Sequence, residues 1–214
     1  MCYSFDPAET VCFSGHRNIP DSEHAWLKIK IQKSICAFYR AGYKVFLCGG
    51  ARGFDTMAAL EVLSFRSEHP DARLVIAVPC ASQADRWSKK EQDVYRTTLN
   101  LADQVIVLSD LYYSGCMQTR NRFMVDHSSA CICFLTHFKG GTWSTVRYAL
   151  HRNIRIWNLA MPDEVEPILR ESLWSYTFTF HSAQKNVSIV HLSPSPRLRV
   201  KKKNISGLCC RRRP

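Results

Sequence analysis

Short, nearly continuous apolar runs recur along this chain and alternate with longer amphipathic stretches. Runs such as VIAV and VIVL offer apolar side chains on both sides, the mark of a strand covered by helices on each face. Six such runs fall at residues 10–14, 44–48, 74–79, 104–108, 130–135 and 154–158. Helical periodicity occupies 22–40, 56–66, 83–99, 117–127, 143–151 and 162–173. Strands alternating with helices imply right-handed crossovers and an open, mostly parallel sheet between two helical layers. In the first helix the expected inward stripe is Trp26, Ile29, Ile31, Ile35 and Phe38.

At 214 residues the chain can form one α/β domain with a sizeable core, and its 46% hydrophobic and 22% charged content is globular. We place that domain at 1–192, a three-layer Rossmann-like sheet. The segments YTFTF and VSIVHL suggest an edge hairpin within 174–192. From 193 onward SPSPRLRVKKKNISGLCCRRRP reads as a disordered basic tail. That tail holds most of the net charge of +11: Arg197, Arg199, Lys201, Lys202, Lys203, Arg211, Arg212 and Arg213, with no acid among them. Residues 197–213 are therefore a candidate contact for nucleic acid, and the rest of the chain is close to neutral. No apolar run is long enough for a spanning helix, and the first residues lack the pattern of a secretory signal, so a cytoplasmic protein is expected. Cys12, Cys48, Cys80, Cys131 and Cys133 fall in or beside apolar strands and are expected to be buried thiols. Cys131 and Cys133 lack a second cysteine pair at zinc-finger spacing, so no metal is expected.

The candidate site gathers where strands end. Two turns, GGARGFD at 49–55 and KGGT at 139–142, each follow a strand and open a helix, so their N–H groups and helix dipoles suit a phosphate-sized anion. Gly15 would let the first strand turn tightly, bringing His16 and Arg17 over the strand ends. In the second turn Gly49, Gly50 and Gly53 allow close approach, Arg52 adds charge, and Asp55 can cap the helix, meet a ribose hydroxyl or hold Arg17. Glu61, two turns further on, is read as a solvated helix residue. Asp55 and Glu61 are the candidate catalytic carboxylates. After the third strand, Gln83 and Trp87 occupy the expected first helical turns, where Gln83 could read a base or sugar. Trp87 could stack on a base or lie in the core. Arg120 and Asn121 begin another helix, behind Tyr112 and Tyr113. Gly140, Gly141 and Thr142 complete the second turn, with Thr142 as the expected helix cap. Neither a G-x-G-x-x-G fingerprint nor a Walker loop is spelled out, which argues against standard dinucleotide and P-loop chemistry.

Taken in order, SGHR, GGARGFDTMAA, VPCASQADRW, MQTRNRFMVD and GGTWSTVRYA resemble the YpsA-like proteins of bacteria and their phages, over residues 8–160. That family belongs to the SLOG superfamily, with DNA-processing protein A and the Lonely Guy phosphoribohydrolases. The resemblance implies a Rossmann-like domain that binds nucleotides, nucleotide-derived signals or single-stranded nucleic acid. Against the phosphoribohydrolase pattern, Arg120 matches the arginine, Asn121 replaces the lysine and Thr145 stands where the glutamate belongs. A threonine neither stabilises an oxocarbenium-like centre nor activates water well, which argues against that hydrolysis.

The leading expectation is a module holding a nucleotide or nucleotide derivative between the two turns. Arg17, Arg52 and Arg120 would be charge clamps, and Gln83 and Trp87 would contact base or sugar. Two alternatives stay open: hydrolysis of an N-glycosidic or phosphate bond, and nucleic-acid binding related to DNA-processing protein A. A second copy of the chain is a further partner compatible with an exposed helical layer.

Overall fold

The structure, a computed structural model, describes residues 5–160. A 3-10 turn at Pro7–Glu9 leads into β1 (Thr10–Gly15), followed by α1 (Asp21–Arg40), β2 (Val45–Cys48), α2 (Phe54–Arg66), β3 (Arg73–Val78) and α3 (Lys89–Leu101). Then come β4 (Gln104–Val107), α4 (Cys116–Asp126), β5 (Ala130–Phe134), α5 (Gly140–His151) and β6 (Arg155–Asn158). The strands form one sheet in the order β4-β3-β2-β1-β5-β6, and every pairing is parallel. The chain thus steps outward from β1 to β4, crosses back, and fills the other side of β1. Strand order reverses at β1 and β5, where open α/β sheets form a crevice beyond the strand carboxyl ends.

Alternation along the strands divides the core into two. Val11, Phe13, Phe46, Leu74, Ile76, Ile132 and Phe134 meet Leu27, Ile31, Ile35 and Phe38 of α1 and Phe54, Ala58, Ala59 and Val62 of α2. On the opposite face Cys12, Leu47, Val75, Ala77, Cys131 and Cys133 meet Met124 and Val125 of α4 and Val146 and Ala149 of α5. The strand thiols are buried. Among the described residues no helix is long and apolar enough to cross a membrane.

Several boundaries and orientations differ from expectation. The inward stripe of α1 runs through Leu27 rather than Ile29, which is exposed. The i, i+4 series Leu27–Ile31–Ile35 follows the helical repeat better than Ile29 does. Helix α3 starts at Lys89, not at 83, because Ser88 and Glu91 form a capping box there. Gln83 and Trp87 therefore sit in the turns before α3, and Gln92 Nε2 binds the carbonyls of Ala84, Asp85 and Trp87 to hold those turns. Gly53, with φ +73°, takes the N-cap position of α2, so Asp55 lies inside the helix. Helix α5 begins at Gly140 after Lys139, so Thr142 is an internal, buried residue rather than a cap. Glu61 is buried, not solvated: it accepts from Gln32 Nε2 at 2.6 Å and pairs with Lys28 Nζ at 3.4 Å. The helix expected at 162–173, the hairpin at 174–192 and the basic tail lie outside the described residues.

Candidate ligand-binding edge

Parallel strands end on one side of the sheet, so all the loops singled out above meet at one edge. The turn after β2 is packed solid. A Cβ on Gly49 would fall on the Arg120 guanidinium and 2.7 Å from Asp55 Oδ2. A Cβ on Gly53 would strike the main chain of His16 and Arg17. The Phe54 N–H donates to the His16 carbonyl at 3.1 Å, tying this turn to the end of β1. Gly15 is needed for the same reason, since the Phe54 ring occupies the place of its side chain.

Arg120 points inward. Its guanidinium donates to the Gly49 carbonyl through Nη1 and to Asn121 Oδ1 through Nε at 2.8 Å. Asp55 is buried beside it and accepts from the Ala51 N–H at 3.3 Å. Burial pushes the Asp55 carboxyl above its ordinary range, and the charge of Arg120 opposes that rise. Burial likewise lowers Arg120, opposed first by Asp55. Gln83 Nε2 donates to the Gly50 carbonyl at 2.9 Å. Arg52 lies 5.9 Å above the Trp87 ring and pairs with Glu91 at 3.4 Å. Trp87 packs edge-on against Tyr95, whose phenol burial pushes up to about 12.

The turn after β5 is open. Nothing lies within 4 Å of a Cβ built on Gly140 or Gly141, and no side chain caps α5. Beside it the His16 ring stacks on His137 at 4.0 Å, and His16 Nε2 accepts from the Thr136 N–H at 3.0 Å. That bond requires an unprotonated Nε2. Burial, followed by the neighbouring His137, lowers the His16 pKa below its ordinary value. Asn158, at the end of β6, clamps this loop by bonding both the N–H and the carbonyl of Leu135.

One hydrogen-bonded path joins the two turns. It runs from the Gly49 carbonyl through Arg120 and Asn121, across to Thr145 Oγ1 at 2.8 Å, and on to the Gly141 carbonyl at 2.9 Å. Thr145 thus holds Asn121 and the start of α5. A groove of about 350 Å³ opens on the far side of this path, between α4 and α5, with Arg122, Arg147 and Tyr148 in its walls.

Gly15, His16, Arg17, Gly49, Gly50, Arg52, Gly53, Asp55, Gln83, Trp87, Arg120, Asn121, Gly140 and Gly141 therefore share one edge or its support. Glu61 does not, being turned towards α1. The sequence reading missed His137, Phe138, Tyr95 and Asn158. For His137 and Phe138 the available signal was their place directly after an apolar strand. Tyr95 and Asn158 act through contacts distant in sequence and carried none.

Comparison with known proteins agrees with this fold. The chain shares 30% identity over 128 residues with an uncharacterized SPbeta prophage-derived protein, YoqJ, of Bacillus subtilis, covering 53% of this chain and 75% of that one. It is 27% identical over 113 residues to a UPF0398 protein of Ligilactobacillus salivarius, covering 52% of this chain but less than two thirds, 62%, of that protein. Among solved structures, DNA processing protein A of Helicobacter pylori, studied for its single-stranded DNA binding mode, superposes with a TM-score of 0.51 at 19% identity. That match covers 77% of this chain and 73% of the other. DNA processing protein A of Streptococcus pneumoniae gives 0.52 at 16% identity over 78% and 54%. At those identities the likeness is one of fold. The model of the YspA SLOG family matches residues 13–156, and the chain belongs to that family.

Proposed function

We propose that the chain binds single-stranded nucleic acid along the carboxyl edge of its sheet. The observation that carries this reading is a row of aromatic and cationic side chains, contributed by successive loops in sheet order. Tyr112 and Tyr113 follow β4 and are exposed. Half-buried Trp87 follows β3 and lies under Arg52, from the turn after β2. Exposed Arg17 follows β1, and exposed Phe138 and Lys139 follow β5. Five adjacent strands place this row over roughly 20 Å. Aromatic faces take unstacked bases of any sequence, while guanidinium and ammonium groups follow the phosphates. The relation to DNA processing protein A favours the same reading.

A second reading, a free nucleotide held by one phosphate, is favoured by the uncapped start of α5 beside the histidine pair. Hydrolysis receives no such support. Asp55 is buried against Ala51 and Arg120, and Glu61 is engaged with α1.

Fluorescence anisotropy of labelled oligonucleotides tests the proposal on the full chain. Single strands should bind better than duplex, with affinity falling as salt rises by a log–log slope of about −0.7 per phosphate contacted. Phe138→Ala and Arg17→Ala leave the basic tail intact. A base stack is worth about 1–3 kcal/mol, so Phe138→Ala should weaken binding roughly 5- to 150-fold. Affinity unchanged in both variants would assign binding to the tail. Tight binding of a mononucleotide without any gain from a longer strand would establish the second reading instead.

A further inference from the structure

The seam between α4 and α5 is apolar where it meets the sheet and cationic where it meets solvent. Met124 and Val125 of α4 and Val146 and Ala149 of α5 fill its base. Outside them opens the groove of about 350 Å³. Half-buried Asn121 and buried Thr145 line its floor and are bonded to each other at 2.8 Å. Arg122 of α4 and Arg147 of α5 are exposed in its walls, with Ser144 and Tyr148 beside them. Positions 144, 147 and 148 share one face of α5 through their i, i+3, i+4 spacing.

The charge of this groove is not balanced by its surroundings. Asp126 stands four residues after Arg122, the spacing of an ordinary helical ion pair. It is engaged instead by Arg152 Nε at 2.9 Å and by the Tyr148 hydroxyl, which donates to it at 2.9 Å. Arg122 lies over the Tyr148 ring, 5.6 Å from its centroid. Among the described residues no carboxylate pairs with Arg122 or Arg147, and no acid lines the groove. Asn121 spends one Nδ2 hydrogen on Thr145 and its Oδ1 on Arg120, which leaves a second N–H to donate. Tyr148 is held by both its hydroxyl and its ring, so that wall is preformed.

We propose that this groove is a second ligand site, which takes a small phosphomonoester with its phosphate between Arg122 and Arg147. Two guanidiniums match such a group, which carries close to two negative charges at neutral pH and presents three acceptor oxygens. A phosphodiester, as in a nucleic-acid strand, brings a single charge per phosphate. The Asn121 N–H and the Ser144 hydroxyl supply neutral donors beside the arginines. The volume lies at the lower end of small-molecule sites and suits one phosphate on a short polyol or sugar body. The groove lies behind the Arg120–Asn121–Thr145 path, away from the carboxyl edge. The inference is independent of what that edge binds.

Equilibrium dialysis of labelled glycerol 3-phosphate against the full chain tests it. Binding should saturate, and unlabelled dimethyl phosphate, a singly charged diester, should compete far less well than unlabelled glycerol 3-phosphate. Arg122→Gln and Arg147→Gln should each weaken binding about tenfold. Ser144→Glu keeps both arginines but brings a carboxylate to the groove, and it should abolish binding. All three positions are exposed, and circular dichroism checks that each variant folds. Phe138→Ala alters the carboxyl edge and should not change this affinity. Dependence on Phe138 but not on Arg122 or Arg147 would put the phosphate at the start of α5 and overturn the proposal. Affinity unchanged in all three groove variants would assign the anion to the basic tail and overturn it too. Equal competition by dimethyl phosphate, or no binding up to millimolar concentration, would do the same.

Discussion

The turns after β2 and after β5 share one spelling, a strand followed by paired glycines and a helix start, yet the first is filled and the second is empty. After β2 the missing side chains leave room for protein: Arg120 and Asp55 at Gly49, and the main chain of His16 and Arg17 at Gly53. After β5 the space around Gly140 and Gly141 is open. The lesson is that glycine after a parallel strand can serve internal packing or ligand access, and the local sequence looks the same for both. Here the packed turn braces the edge, and the Arg120–Asn121–Thr145 path carries that support to the open turn.

The largest effect should come from adding one methyl group to each turn. Gly53→Ala combines a positive φ with a collision against backbone, which cannot move aside as a flexible side chain can. Strain and overpacking of about 1–3 kcal/mol each imply a loss of about 3 kcal/mol or more. Gly141→Ala adds a side chain in open space inside the first turn of α5 and should stabilise by about 0.5–1 kcal/mol. Urea unfolding of the two variants measures the contrast. Similar losses in both would show that the β5 turn is as packed as the β2 turn.

Arg120→Met comes next. It keeps bulk at the centre of the β2 turn and removes the cation facing Asp55. Removing one member of a buried charge pair costs about 3 kcal/mol or more. The pH dependence identifies the cause. Without Arg120, the largest influence opposing burial at Asp55 is gone, so its carboxyl is held further above its ordinary range. The variant should lose most stability at pH 8 and recover part of it towards pH 5, where the buried carboxyl takes up its proton. A loss that is the same at both pH values would mean that Arg120 acts by packing and hydrogen bonding alone.

The sheet was legible because buried parallel strands announce themselves as apolar runs. All six fell within two residues of their observed limits, and the alternation with helices implied the layers. The start of α3 was legible too, in the capping box of Ser88 and Glu91, but SQADRW before it reads as helix just as well. The direction of Arg120 was not. An arginine in the first turns of a helix reads as an open clamp until the Gly49 carbonyl, 71 residues away, is seen beside it. Glu61 failed similarly, since its partners Lys28 and Gln32 lie on another helix. Chemistry settled within one element was readable, and chemistry settled between elements was not.

The smallest effect concerns the seam between the two turns. His16 belongs to both sides: its carbonyl receives the Phe54 N–H of the closed turn, and its ring receives the Thr136 N–H of the open one. Its folded pKa lies below the unfolded value of about 6.5, through burial and then His137. The unfolded chain therefore binds more protons in that window, so the contribution of His16 is present above pH 6.5 and is lost as pH falls through the folded value. Gln at this position can still accept the Thr136 N–H but does not titrate. His16→Gln should therefore lose less melting temperature than the native chain between pH 7.5 and 5.5, by a few degrees at most. Histidines common to both proteins cancel in that comparison. Equal slopes would mean that the open side of the edge does not respond to protonation at His16, and that the seam is held by the closed turn alone.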